Sequence, residues 1–374
     1  MTEVIQTTAA PATTLAEYLS ASGSEPPPNL IPYLGVLTPQ RLDASDVETG
    51  ALLFGAAVHD LGWLRRVAVR GEDRYRWLSG MVTNAVETLA DRTGAYSLIL
   101  NAQGRIQGDA YVWRIGDELE VEVTVDLSEA LLSHFDRFII MDDVELAPLA
   151  DQSALGITGP KANEIIAKLG LPSLGDGLSS GDGTVGGIPV KLYRSYGTAV
   201  PHYELWTASE QIPALWNALI AADATRAGAA SLETLRIVEG IPAYGIDIQS
   251  RDLAQETAQM RAISFTKGCY LGQEIVERIR SRGQVHRHLR ALELTSEDAG
   301  HVPGIGVELR ISSSTPEAKP AGTLTSVTAL QLGGVRRIFA IGMIRAEAEV
   351  GNPALHFPGG TARILYNPPN LTVA

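Results

Sequence analysis

The sequence predicts an α+β protein closed by a small β-barrel, and two observations carry the prediction. Between residues 61 and 232, short alternating apolar runs interleave with amphipathic helical runs, and the set that begins at Ala154 resembles the set before it. After Leu289 the alternation continues while helical periodicity disappears. At 374 residues the chain also exceeds the roughly 250–300 at which a single hydrophobic core stops growing. The expected organisation is an extension over 1–45, α+β units over 46–150 and 151–288, and a barrel over 289–374.

Residues 1–45 are rich in Thr, Ala, Ser and Pro and lack a period that would bury a face, which predicts a mobile extension. A strand through Val67–Val69 leads to a helix over Asp73–Met81 that turns Tyr75, Leu78, Met81 and Val82 inward. Strands at Ala95–Leu100, Ala110–Arg114 and Leu119–Val125 precede a helix over Ser128–Phe138 with Leu131, Leu132 and Phe135 on its inner face. The second set opens with a strand at Ala154. A helix follows that starts at Pro160, aligns Ile165, Ile166 and Leu169, and stops at Gly170. Strands near Val190–Tyr193 and Tyr203–Thr207 and a helix over Ile212–Ala221 complete this unit. Barrel strands are expected at Ala291–Leu294, Val307–Ile311, Gly322–Leu330, Arg337–Ile344 and Ala362–Leu365.

A net charge of −13 argues against a surface that grips duplex DNA through its phosphates. No Lys or Arg precedes Arg41, and no apolar run approaches the roughly 20 residues of a membrane span, so a cytoplasmic protein is expected. Cys269 is the single cysteine and the seven histidines lack ligand spacing, so neither a disulfide nor a metal site is expected.

Gly181, Gly183 and Gly186 spell a dinucleotide fingerprint, but they lead into the strand-like Ile188–Tyr193 instead of a helix, so they read as a flexible loop. The stretch Lys267-Gly268-Cys269-Tyr270-Leu271-Gly272-Gln273-Glu274 places a cation two residues from the lone thiol and just ahead of a helix. Both neighbours would favour a thiolate; the alternative is a small buried hydrophobe. Arg278, Arg280, Arg282, Arg287 and Arg290, with His286 and His288, then form a basic run open to an anionic tail, a partner or solvent.

The stretch Lys267–Glu274 resembles the K-G-C-[FY]-x-G-Q-E signature of the YgfZ-type folate-binding proteins, relatives of the glycine-cleavage aminomethyltransferase T-protein. Thr83-Asn84-Ala85-Val86, Asn101 to Ile106, Tyr203-Glu204-Leu205 and Arg236 through Asp247 resemble further family segments. The resemblance implies a three-domain ring of two related ferredoxin-like α+β domains and a barrel around a tetrahydrofolate site. Glu204 would hold the pterin edge and Arg236 an anionic or carbonyl group, with Asn101, Tyr244 and Gln273 also at the cofactor. An ordinary Glu204–Arg236 ion pair is the alternative.

The implied activity is support for the assembly or repair of iron–sulfur client proteins. Enzymes that thiolate tRNA are among those clients, and direct RNA contact by this chain is not expected. Cys269, activated by Lys267, would be the reactive group. Where the T-protein has adjacent acids this chain has Gly108-Asp109, which leaves Asp109 as the acid–base group of the rival reading, a folate-dependent aminomethyltransferase or demethylase.

Overall fold

The computed structural model describes residues 10–23, 27–175, 177–298, 300–311, 319–369 and 371. Its architecture is α+β with a closed six-stranded barrel.

The first sheet is antiparallel, with strands in the order Gly94–Leu100, Ile106–Ile115, Glu118–Thr124, Leu64–Arg70 and Glu145–Pro148. Helices Arg74–Met81 and Val125–Asp136 pack on it, burying Trp77, Leu78, Leu131 and Phe135 against Val112 and Val121. The second sheet runs Ser179–Val185, Ile188–Ser195, His202–Ala208, Gln152–Thr158, Ala57–Asp60 and Thr225–Ala227. The two related units predicted from the sequence are therefore present, but the chain interleaves them, because Ala57–Asp60 precedes the first unit and pairs inside the second.

Two expectations change. Gly181 and Gly183 lie within a regular strand, not a flexible loop, and the hairpin turns at Gly186 and Gly187, whose φ values of 56° and 87° suit residues without a Cβ. The supposed mobile extension is built into the fold. Thr13 caps the helix Thr14–Ala21, whose Leu15 and Leu19 enter the second unit's core with Leu205 and Trp216. Strands Leu30–Tyr33 and Val36–Pro39 then form a hairpin. Residues 1–9 and 24–26 of that segment lie outside the described residues.

The barrel closes in the order Arg287–Ser296, Val335–Arg345, Pro320–Leu332, Glu308–Arg310, Leu355–Phe357 and Gly360–Leu365 around Leu292, Leu309, Leu324 and Ile364. One apolar cluster draws on all three parts: Tyr96 and Leu98 from the first unit, Leu235 from the helix Ala229–Val238, and Phe339 and Ile341 from the barrel. That shared core fixes the strand that carries Asp109 and the loops that carry Tyr244, Lys267 and Cys269.

Candidate functional site

Asp109 and Tyr111 alternate along Ile106–Ile115, and Tyr96 lies on the neighbouring strand opposite Tyr111, with ring centroids 5.0 Å apart. The Tyr96 hydroxyl donates to Asp109 Oδ2 at 2.7 Å. Burial lifts the Asp109 carboxyl above its usual range, while the Tyr96 hydroxyl and the Arg261 charge oppose that lift. A cavity of about 160 Å³ opens beside them, its walls including Asp109, Tyr96, Tyr111, Tyr244 and Arg261. Leu34, at the tip of the N-terminal hairpin, also lines it.

The loop that carries Arg261 is held by the Thr83-Asn84 pair. Thr83 Oγ1 donates to the Ala262 carbonyl at 2.6 Å, and Asn84 Nδ2 donates at 2.8 Å to the carbonyls of Arg261 and Tyr96. The Arg261 guanidinium carbon consequently sits 3.5 Å from the ring centroid of Tyr196 and 4.1 Å from that of Tyr96. Sequence reading missed Arg261 because a single loop arginine carries no period. Its one signal was that no other cation lies between Arg251 and Lys267.

Glu204 and Arg236 do not pair with each other. Glu204 lies at the seam between the two sheets, where Oε2 accepts from Arg66 Nη2 at 3.2 Å and Trp206 Nε1 at 2.8 Å, and Oε1 accepts from Ser195. Arg66 also binds Glu120 at 3.0 Å and Glu122, so three carboxylates surround one buried guanidinium. Burial and then the Glu204 charge push Glu122 well above the usual carboxyl range.

Arg236 braces the helix Ala229–Val238 against the following loop and the barrel. Its donors reach Glu233 Oε2 at 2.9 Å, Asp247 Oδ2 and the Ile241 carbonyl at 2.6 Å each, Glu233 Oε1 at 2.5 Å and Ser326 Oγ at 3.0 Å. A guanidinium has five N–H groups, so none is left for a folate.

The expected Lys267–Cys269 partnership is also absent. The Lys267 ammonium points inward to the carbonyls of Ser79, Val82 at 2.7 Å and Asn84 at 2.8 Å, at the end of the helix Arg74–Met81. Burial pushes it down to about 8. Cys269 is exposed. Asn101 serves a turn, its Oδ1 accepting from the amides of Gln103 and Arg105 at 3.0 Å each. Gly272, at φ 82°, lies so close to this turn that a Cβ would stand 2.6 Å from the Asn101 carbonyl oxygen. Gln273 opens the helix Gln273–Arg282. Asp109 and Tyr244 thus share the cavity, whereas Asn101, Lys267, Cys269 and Gln273 belong to the neighbouring loop region.

Much of the basic run is internally paired. Arg287 binds Asp252 and Glu256, and His288 and Arg290 bind Glu349. Among the described residues no cluster of three or more His, Cys, Asp and Glu is arranged to hold a metal, and no helix is long and apolar enough to cross a membrane.

Residues 17–267 match the GCVT N-terminal domain family. A chloroplastic Arabidopsis thaliana protein described as a putative transferase is 26% identical over 321 residues, spanning 84% of this chain and 71% of that protein. The aminomethyltransferase of Rubrobacter xylanophilus is 27% identical over 264 residues, 68% of this chain and 69% of its own. The crystal structure of the glycine cleavage system aminomethyltransferase T from Bartonella henselae superposes with a TM-score of 0.81 at 17% identity, covering 96% of this chain and 97% of that one, which is a likeness of fold. With a family match over more than half its length and the same three-part fold, the chain belongs to the GCVT family, that of the glycine-cleavage T-protein.

Proposed function

We propose that this protein binds tetrahydrofolate at the Asp109 cavity and supports the assembly or repair of iron–sulfur proteins, tRNA-thiolating enzymes among them, through Cys269. The observation that carries the reading is the presentation of the thiol. Lys267 anchors the loop on one side of Cys269 and Gly272 packs against the Asn101 turn on the other, while the cysteine itself stays exposed. A cysteine kept for packing would be buried. On an anchored loop, an exposed sulfur is placed to ligate iron at a client's surface. Lys267 does not activate it, because its ammonium is occupied by three carbonyls.

The cavity fits the flat head of a folate: aromatic walls, a guanidinium plane and one carboxylate surround it. Its volume of about 160 Å³ is below the roughly 300 Å³ of a complete drug-sized site, so the tail would lie outside. The decisive measurement is tRNA thiolation in a bacterium lacking its own YgfZ-type protein. Rescue by this chain and failure of Cys269→Ser, with equal folate affinity and equal protein level, is expected. Equal rescue by both would overturn the role of the thiol.

A second reading, folate-dependent aminomethyl transfer, is favoured by Asp109 itself, a buried carboxyl facing the cavity whose affinity for a proton is raised by burial. Such a group can give and take a proton at an amine. The relatives named as aminomethyltransferases point the same way. Its signature would be tetrahydrofolate-dependent release of ammonia from an aminomethyl donor, reduced about 100-fold or more in Asp109→Asn.

A further inference from the structure

Many arginines of this acidic chain are paired: Arg66, Arg92, Arg226, Arg236 and Arg290 each meet a carboxylate. Beside the Cys269 loop that pattern breaks. Arg251, Arg278 and Arg282 are exposed, and none meets a carboxylate among the described residues. Arg105 is exposed too, and its guanidinium is steadied by the Arg251 carbonyl instead of an acid. The acids nearby are already engaged, Asp252 and Glu256 by Arg287 and Glu277 by Arg280 at 3.5 Å. Glu274, in the first turn of the helix Gln273–Arg282, makes no ion pair.

The four arginines stand on one platform. Arg105 pairs with Leu253 through the backbone and the Ile106 amide donates to the Asp252 carbonyl at 3.3 Å, which joins the turn at 101–105 to the segment of Arg251. Gly104 lies so close to the helix Gln273–Arg282 that a Cβ would stand 2.6 Å from the Ile275 side chain, and Gln255 Nε2 donates to the Val276 carbonyl at 2.7 Å. Ile275, Arg278 and Arg282 are spaced three and four apart, so the two arginines continue the helix face that meets the turn. Gly272, packed against the Asn101 carbonyl, ties the platform to the exposed Cys269 three residues earlier.

We propose that Arg105, Arg251, Arg278 and Arg282 form a docking face for an acidic segment of the client protein that Cys269 serves. Guanidinium forks match carboxylates, and because exposed ion pairs are individually weak the segment must bring several Asp or Glu side chains at once. A nucleic acid fits this face less well. Its phosphates would run past four arginines onto a chain of net charge −13, whereas an acidic peptide can end where the face ends. The inference rests on the client-directed reading of Cys269 and names how the client is held beside the thiol.

The test is fluorescence anisotropy of the full chain at low salt, with a labelled octaglutamate peptide and a labelled single-stranded octanucleotide RNA as probes. The double variant Arg278→Glu/Arg282→Glu is compared with Lys161→Glu/Arg363→Glu, which makes the same change of charge at exposed cations elsewhere. The parent should bind the peptide more tightly than the RNA, the reversal on the helix should weaken the peptide at least tenfold, and the distant reversal should weaken it no more than about twofold. Melting temperatures identify a variant that fails to fold, and the milder Arg278→Gln/Arg282→Gln should then fall between parent and reversal. Absence of peptide binding by the parent, equal weakening by the two reversals, or an RNA bound more tightly than the peptide would overturn the proposal. Cys269→Ser should bind the peptide like the parent, so this titration and the tRNA-thiolation rescue can fail separately.

Discussion

The two α+β units repeat one order of elements, strand, helix, three-strand meander, helix, strand, and stack their sheets in the same sequence, yet they end differently. In the first unit the closing strand Glu145–Pro148 pairs directly with the opening strand Leu64–Arg70. In the second, Ala57–Asp60 is inserted between the opening strand Gln152–Thr158 and the closing strand Thr225–Ala227. All four inserted residues are buried, and Asp60 accepts from Thr13 and from Thr38 at 2.9 Å, anchoring the N-terminal segment. That same segment carries Leu34 across to the cavity of the first unit. The second unit mounts the N-terminal segment, and the first keeps a cavity beside Asp109 that this segment only edges.

The strongest way to break this division is at the seam where the units meet. Arg66 comes from the first unit, and its partner Glu204, with the Tyr193 ring 3.5 Å from the guanidinium carbon, comes from the second. Arg66→Met leaves Glu120, Glu122 and Glu204 together without their shared cation. The expected loss is about 3–5 kcal/mol in urea unfolding. A loss below about 1 kcal/mol would show that apolar contacts such as Trp113 against Tyr193 hold the seam instead.

The inserted strand should make the second unit sensitive to acid. His59 Nε2 contacts Thr158 Oγ1 at 2.9 Å and Nδ1 contacts the Asp60 carbonyl at 3.1 Å. Burial holds the ring down from 6.5 to about 4. Between those values the unfolded chain takes up a proton that the folded chain refuses, so stability falls as pH drops from 6.5 toward 4. The slope is about 1.4 kcal/mol per pH unit and the total at most about 3 kcal/mol. Urea midpoints of the parent and His59→Asn across that window should diverge in slope; parallel curves would mean that His59 is protonated in the fold.

How far the sequence disclosed this arrangement follows from the range of each interaction. The helix Ile212–Ala221 and the meander strands are legible because their apolar period is local. The insertion of Ala57–Asp60 is not, because its partners lie about 100 and about 170 residues downstream and a four-residue buried strand has no alternation to read. The N-terminal helix gave one sign, Thr13 as a cap with Leu15 and Leu19 four apart, and the Thr, Ala and Pro content of the segment around it hid that sign. At the site, Asp109 and Tyr244 were legible from motif resemblance, whereas Arg261 depends on rings from three strand regions. Arg236 and Lys267 were found by motif, but their donors turn inward to acceptors of the fold, because a motif names a residue without showing which way its donors point.

The smallest effect sharpens the comparison of the two first helices. In the second unit, Ala162–Lys168 closes itself, with the Gly170 and Leu171 amides donating to the Ala167 and Ile166 carbonyls at 3.0 and 3.1 Å. In the first, Arg74–Met81 receives its cap from Lys267, far along the chain. Lys267→Met should therefore cost about 1–2 kcal/mol of stability through the lost carbonyl bonds. Because the ammonium faces the helix end, Cys269 should react with a small disulfide at a rate within about threefold of the parent, at a pH where thiolate fraction sets the rate. The opposite pattern, unchanged stability with a tenfold slower thiol, would return Lys267 to the role of activator and make the helix cap incidental.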